Sequence, residues 1–485
     1  MVLVARRYII GVLAILCLSH GVVQLGSAQE PTPVTAPLSE NVPGKLPAAP
    51  VPAEPRAQPS SGPGTAATID LGEFKDGQFV LPAGLLTAGW NNGFYIKSQD
   101  DDFILRITGQ IQGDFRGYVD NHDTTDISTF LVRRARLGVE ADMFKYYEFR
   151  LLPDFGQSQP TLQDGYINIH YIDEFQIEAG KFKQPFSYEQ LIQDRFVPTM
   201  ERSMLDQIVP ARDEGVMLHG RNLLNNRLDW AASVSNGEIN GNSDTNGSKD
   251  FVGRIVVRPF GAPDSIPWLQ ELQFGISGSA GTEQEPISPN AFRTPAQVRF
   301  FQFNSTVQAN GTRTRYSPEV AYFYRAFGFA AQYMRMQQEM RPNSVGPGAL
   351  LKIDVPTDTF YVMATLLLTG EERTTYSMAL DPLRPFDPRH PLVNPGAWEL
   401  VARVSHFEEG GIVFAKGVAN LASLDLYSPT ATETTLGFNW YLTKWVRVQS
   451  NWEHAWFSKP VQLGNGPSGR LNHQDTLLTR LQVIF

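Results

Sequence analysis

The sequence predicts an all-β fold: a single transmembrane antiparallel β-barrel of about sixteen strands over residues 103–485. Three observations predict it. Long stretches alternate apolar and polar residues strictly. The chain ends on such a stretch, closed by an aromatic residue. An export signal is followed by no run of about twenty apolar residues that could cross a bilayer as a helix. In the last stretch, Asp475 to Phe485 (DTLLTRLQVIF), Leu477, Thr479, Leu481, Val483 and Phe485 share one face, and Thr476, Leu478, Arg480, Gln482 and Ile484 the other. An exposed apolar edge strand would invite aggregation in water. Closure onto the first strand removes the edge, and in lipid only helices and closed barrels satisfy their backbone.

At the amino terminus, Arg6 and Arg7 precede an apolar run from Tyr8 to Leu18, and Gly26-Ser27-Ala28 offers small residues for cleavage. Residues 1–28 therefore read as a secretory signal peptide. The only cysteine, Cys17, lies inside it, behind a Leu16 too bulky for a lipoprotein site, so the mature chain is expected to hold no disulfide or cysteine-ligated metal. Residues 29–65 are rich in Pro, Ala and Ser and cannot bury a core; they read as a disordered periplasmic linker. Residues 66–102 form a lead-in to the barrel, with the composition changing around Gly89–Phe94. A net charge of -9 gives no argument for nucleic acid. The expected surroundings are membrane lipid and the bacterial outer membrane.

From Phe103 the period is two. Phe103, Leu105, Ile107, Ile111 and Phe115 oppose Arg106, Thr108, Gln110, Gln112 and Arg116. Leu131, Ala135, Leu137 and Val139 oppose Arg134, Arg136, Glu140 and Asp142. Sixteen strands are expected near 103–115, 127–142, 146–156, 162–172, 174–182, 212–221, 226–236, 250–260, 271–281, 313–323, 326–340, 356–368, 396–408, 432–442, 444–457 and 473–485. An even number returns both termini to the periplasm. Aromatic residues near strand ends, among them Tyr146, Tyr171, Tyr441 and Trp445, are expected to form interfacial girdles.

Two connections are too long for turns. Residues 183–211 carry Phe186, Leu191, Ile192, Phe196 and Met200, which need a wall to pack on, so this loop is expected to fold into the lumen and narrow it. Residues 370–395, stiffened by five prolines, are expected outside the cell.

The polar parity faces the lumen. It places Arg106, Arg116, Arg134, Arg136 and Arg150 inside, with Arg254, Arg258, Arg403, Arg447 and Arg480 in later strands. The chain has 30 Arg against 11 Lys. Guanidinium binds carboxylate and phosphate oxygens bidentately, which suits a reversible anion track. Lumen carboxylates such as Glu140, Glu399 and Glu453 allow the other reading, in which arginines brace the wall. Arg106, Arg134, Arg136, Arg150, Arg254, Arg258 and Arg403 are taken as the candidate anion pathway, and Lys183, Arg195, Arg202 and Arg212 as the constriction. That loop also holds Glu189, Asp194, Glu201 and Asp206, so no lysine cluster dedicated to phosphate stands out.

No enzyme is expected. Neighbouring Ser405 and His406 point to opposite faces of a strand, His454 falls on the apolar face, and no two histidines show zinc-ligand spacing. No catalytic residue, cofactor or metal is assigned.

Several segments resemble the phosphate-selective porin O and P family: Phe130–Leu137 (FLVRRARL), Gly180–Phe186 (GKFKQPF), Met200–Ser203 (MERS), Leu367–Glu371 (LLTGE), Gly396–Arg403 (GAWELVAR) and Gly437–Tyr441 (GFNWY). The resemblance implies a sixteen-stranded, homotrimeric outer-membrane channel with an inward loop, anionic solutes such as phosphate or polyphosphate, and assembly by the outer-membrane barrel machinery. The alternatives are a general or sugar-type porin without anion specificity, and a structural outer-membrane protein.

Overall fold

The computed structural model describes residues 73–485 apart from 76–77, 81–85, 91–92, 120–125, 157–159, 239–243, 245, 264, 343–351, 416–420 and 466–468. The expected signal peptide and linker lie outside the described residues. Sixteen long strands close into one antiparallel barrel. They are β1 (Phe103–Val119), β2 (Thr129–Met143), β3 (Tyr147–Asp154), β4 (Thr161–Ile172), β5 (Phe175–Lys183), β6 (Arg212–Asn222), β7 (Leu228–Ser235) and β8 (Asp250–Val257). Then follow β9 (Gln273–Pro286), β10 (Val307–Tyr324), β11 (Phe327–Pro342), β12 (Ile353–Leu367), β13 (Ala397–Glu409), β14 (Thr430–Tyr441), β15 (Val446–Gln462) and β16 (Arg470–Ile484).

Closure is by β16 on β1, from Asp475↔Val119 to Ile484↔Gln110. Below that seam the lead-in supplies wall: Leu86–Trp90 pairs with Phe94–Ser98, which pairs with the first half of β1 through Phe94↔Ile107 to Lys97↔Ile104. Residues expected only to precede the barrel thus complete it.

The alternation sorts side chains as lipid demands. Ile111, Leu137, Ile167, Phe251, Ile276, Leu400 and Leu481 are exposed on the outer wall, where hydrocarbon would cover them. Inward positions are polar or buried. The lumen is filled unevenly. Between β9 and β10 a short hairpin, Ala291–Arg293 with Arg299–Gln302, brings in Phe292, Phe300, Phe301 and Phe303. Phe292 and Phe300 pack on Phe407 of β13, ring centres 4.5 and 5.5 Å away. Met334, Tyr361 and Met363 continue this apolar mass beneath the β9–β16 wall.

Two expectations are corrected. Connections alternate between barrel ends, so the segment after the twelfth strand, 370–395, shares an end with the short turns and the carboxy terminus. The Arg373 amide donates to Arg325 O (2.9 Å) and that of Phe386 to Leu442 O (2.7 Å), both in turns of that end. Its prolines gave stiffness but no address; strand parity decides the side. Tyr441 is not a girdle residue either. It is buried in the lumen, where its hydroxyl donates to Glu399 Oε2 at 2.7 Å.

Candidate permeation site

The loop 184–211 between β5 and β6 folds inward, as its apolar residues require. Phe186, Ile192, Met204, Leu205 and Ile208 are completely or almost completely buried in the lumen core. The opposite wall holds the loop by its backbone. Arg403 Nη1 donates to Thr199 Oγ1 (2.8 Å) and Glu201 O (2.7 Å), and its Nη2 to Glu433 Oε1 (3.2 Å). Arg447 donates to the carbonyls of Val197 (3.3 Å) and Arg195 (3.1 Å), and Arg480 to that of Met200 (2.6 Å). These three arginine residues are 1–3% exposed. They fasten the loop, and Arg403 lines neither cavity described below.

The facing wall, β1–β6, presents the other arginines. Arg134 and Arg136 lie on one face of β2, and a register shift opposite Gln112 and Gly113 leaves Arg133 as an extra residue that also turns inward. Such a bulge re-aims a side chain that strict alternation would send into lipid; period-two reading alone missed Arg133. Its Nε donates to Glu201 Oε1 at 2.8 Å. Two loop carboxylates gather this wall. Asp194 accepts from Arg202 (2.6 Å) and Arg136 and lies 3.5 Å from Arg134. Glu201 meets Arg133, Arg134 (3.3 Å), Arg480 (3.0 Å) and Arg116 (3.5 Å). Surrounding guanidinium groups outweigh burial and hold both carboxyls well below their ordinary range. Lower down, Asp164 bridges Arg212 (2.7 Å) and Arg150 (3.2 Å), and Arg150 also reaches Glu140 (3.1 Å).

Two cavities remain between loop and wall. The outer, of about 640 Å³, is lined by Arg133, Arg134, Lys181, Arg202, Asp154 and Asp206. The inner, of about 230 Å³, is lined by Arg150, Lys183, Arg195, Asp164 and Glu178. They meet at Arg136, Asp194 and Arg212, which line both. Seven arginines and two lysines thus face five carboxylates, in a protein whose overall charge is negative.

The remaining candidates fall elsewhere. Lys183 and Arg212 are not loop residues but paired strand ends, where β5 gives way to the loop and β6 resumes. Lys183 Nζ donates to the carbonyls of Gln190 (2.5 Å) and Ile192 (2.8 Å), so it holds the loop's first turn. Arg106, paired with Asp142 at 2.9 Å, lies toward the turn end. Arg254 pairs with Glu319, and Arg258, just past β8, with Asp229. None of these three lines either cavity. Ser405 turns inward and accepts from the Met204 amide at 3.0 Å. His406 occupies the opposite face, and the outward His454 lies 2.9 Å from Asp475.

A closed barrel of sixteen strands with an inward loop at a charged constriction is the architecture of a bacterial outer-membrane porin. The chain belongs to the family described as phosphate-selective porin O and P, whose model matches residues 105–485. No curated protein matches it. Among solved structures it is similar to an anion-selective porin from Comamonas acidovorans (12% identity, TM-score 0.47, covering 79% of this chain and 100% of that one). It is also similar to OmpT of Vibrio cholerae in its trimer form (9% identity, TM-score 0.47, 79% and 100%). A third is the outer-membrane channel DcaP of Acinetobacter baumannii (11% identity, TM-score 0.47, 81% and 99%).

Proposed function

We propose that this porin passes small anions by diffusion, phosphate and polyphosphate among the candidates, along the β2–β6 side of the lumen. The observation that supports the reading is the cationic lining of the two adjoining cavities. Rows of Arg and Lys are the usual device of anion pores. Arg134, Arg136, Arg150 and Arg212 already share carboxylates with neighbours. A solute anion can exchange for one of these partners at each step, which keeps any one site weak enough to release it. The reading involves no covalent chemistry, and it includes homotrimeric assembly, the state the family implies.

Reversal potential in a potassium chloride gradient across a planar bilayer tests it. Chloride should be the more permeant ion. A zero or cation-selective potential would return the protein to the general-porin reading, with its arginines serving only to brace the wall.

A further inference from the structure

The two cavities differ in their walls. The outer one is lined by polar groups such as Thr161, Gln163, Gln190 and Gln207. The inner one has an apolar side, formed by Leu152 of β3, Phe182 of β5, Leu191 of the loop and Met217 of β6, with the Tyr166 ring beside them. On the loop side of the same cavity stands Arg195. Among the described residues it forms no ion pair. Its Nε donates to Gln193 Oε1 at 2.8 Å, and its guanidinium lies over the Phe196 ring, 5.0 Å from the centroid. Burial lowers its pKa only to about 10, so it stays charged at neutral pH. Arg136, Arg150 and Arg212 are by contrast engaged by Asp154, Asp164 and Asp194.

We propose that the inner cavity is a binding site for small organic carboxylates with a compact apolar body, with Arg195 taking the carboxylate and Leu152, Phe182, Leu191 and Met217 taking the body. This rests on the anion-channel reading and narrows its solute class. Phosphate is polar on every side, so contact with four apolar side chains strips its water and returns no hydrogen bond. A carboxylate offers two oxygens for a guanidinium fork and leaves its hydrocarbon to cover apolar surface. The small cavity limits that body to about one ring.

Single-channel recording of the full-length porin in potassium chloride, with benzoate, acetate or inorganic phosphate added, provides the test. Benzoate should interrupt the chloride current at a concentration at least about tenfold lower than acetate or phosphate, the minimum expected from burying one ring. Arg195→Gln should weaken interruption by benzoate, and Met217→Gln should bring benzoate down to the level of acetate. Benzoate acting no better than acetate, or phosphate acting at the lower concentration, would overturn the proposal, and neither comparison needs a variant. A cation-selective reversal potential in potassium chloride alone would instead remove the anion-channel reading beneath it.

Discussion

Nε and Nη2 of Arg480 each lie 2.7 Å from an oxygen of Asp114, across the seam where β16 meets β1. The pair is fully buried, and the same guanidinium also reaches Met200 O and Glu201. One side chain therefore ties together barrel closure and loop position. Removing one partner of a buried pair costs about 3–5 kcal/mol where the other charge is stranded; Arg480 would keep Glu201, so that figure is the ceiling for losing Asp114. Asp114→Ala should lower the temperature at which the heat-modifiable band unfolds on gels. Asp142→Ala removes the partner of the half-exposed Arg106, a change worth about 0–1 kcal/mol, and should leave that temperature nearly unchanged. Equal shifts in the two variants would deny the seam pair any special role.

The carboxy terminus offers a second test of closure. The Gly109 amide donates to Phe485 O at 2.7 Å, and the Phe485 amide returns a bond to Gly109 O at 3.0 Å. A Cβ on Gly109 would lie 2.4 Å from Cζ of Phe485. Glycine is needed there because the terminal ring lies directly over the backbone. Gly109→Val should reduce folded barrel in the outer membrane, and deletion of Phe485 should do the same. Normal assembly of both variants would separate the terminal aromatic from closure.

The β2 arginines carry the selectivity prediction. Arg134→Glu with Arg136→Glu should move the reversal potential toward cations, because both side chains line the outer cavity. The shift should shrink with salt, since the Debye length falls from about 10 Å at 0.1 M to about 3 Å at 1 M. The loop should loosen as well, because Asp194 would then face carboxylates in place of two of its cations. An unchanged potential at low salt in assembled protein would leave these arginines a bracing role only.

Acid should sharpen anion preference. Burial pushes the Asp206 carboxyl above its ordinary value, and Asp206 lines the outer cavity. The charged form is disfavoured in the folded state, so its penalty is lifted as pH falls through that raised value. Asp194 and Glu201 are held down, so their contribution is in place above the unfolded value of about 4 and is lost only well below it. As pH falls, Asp206 should take up its proton first while the loop stays fastened, because its carboxyl is raised and those of Asp194 and Glu201 are held down. The chloride-to-potassium permeability ratio should rise as pH falls through the raised Asp206 value in the parent and stay flat in Asp206→Asn. An equal rise in Asp206→Asn would assign the titration to another group.

Strand existence was legible because alternation is local: Phe103–Phe115 and Leu131–Val139 show their two faces without reference to any other part of the chain. The inward course of 184–211 was legible for a related reason, since Phe186, Ile192 and Met200 could not remain in water. The side reached by 370–395 was not, because it depends on how many strands precede it. Nor was Arg133, because a bulge exists only relative to a partner strand.

By itself the sequence determined the closed barrel, the lumen parity and the supply of arginine, all of which follow from composition and period along one strand. Only the tertiary structure decided the work of each arginine. Arg403, Arg447 and Arg480 hold loop carbonyls beneath a packed core, whereas Arg134, Arg136, Arg195 and Arg212 border open space. The physical reason is that a guanidinium's role is set by the acceptors that reach it. Here those come from a loop distant in sequence, whose carbonyls take the arginines of one wall while its carboxylates and the two cavities meet those of the other.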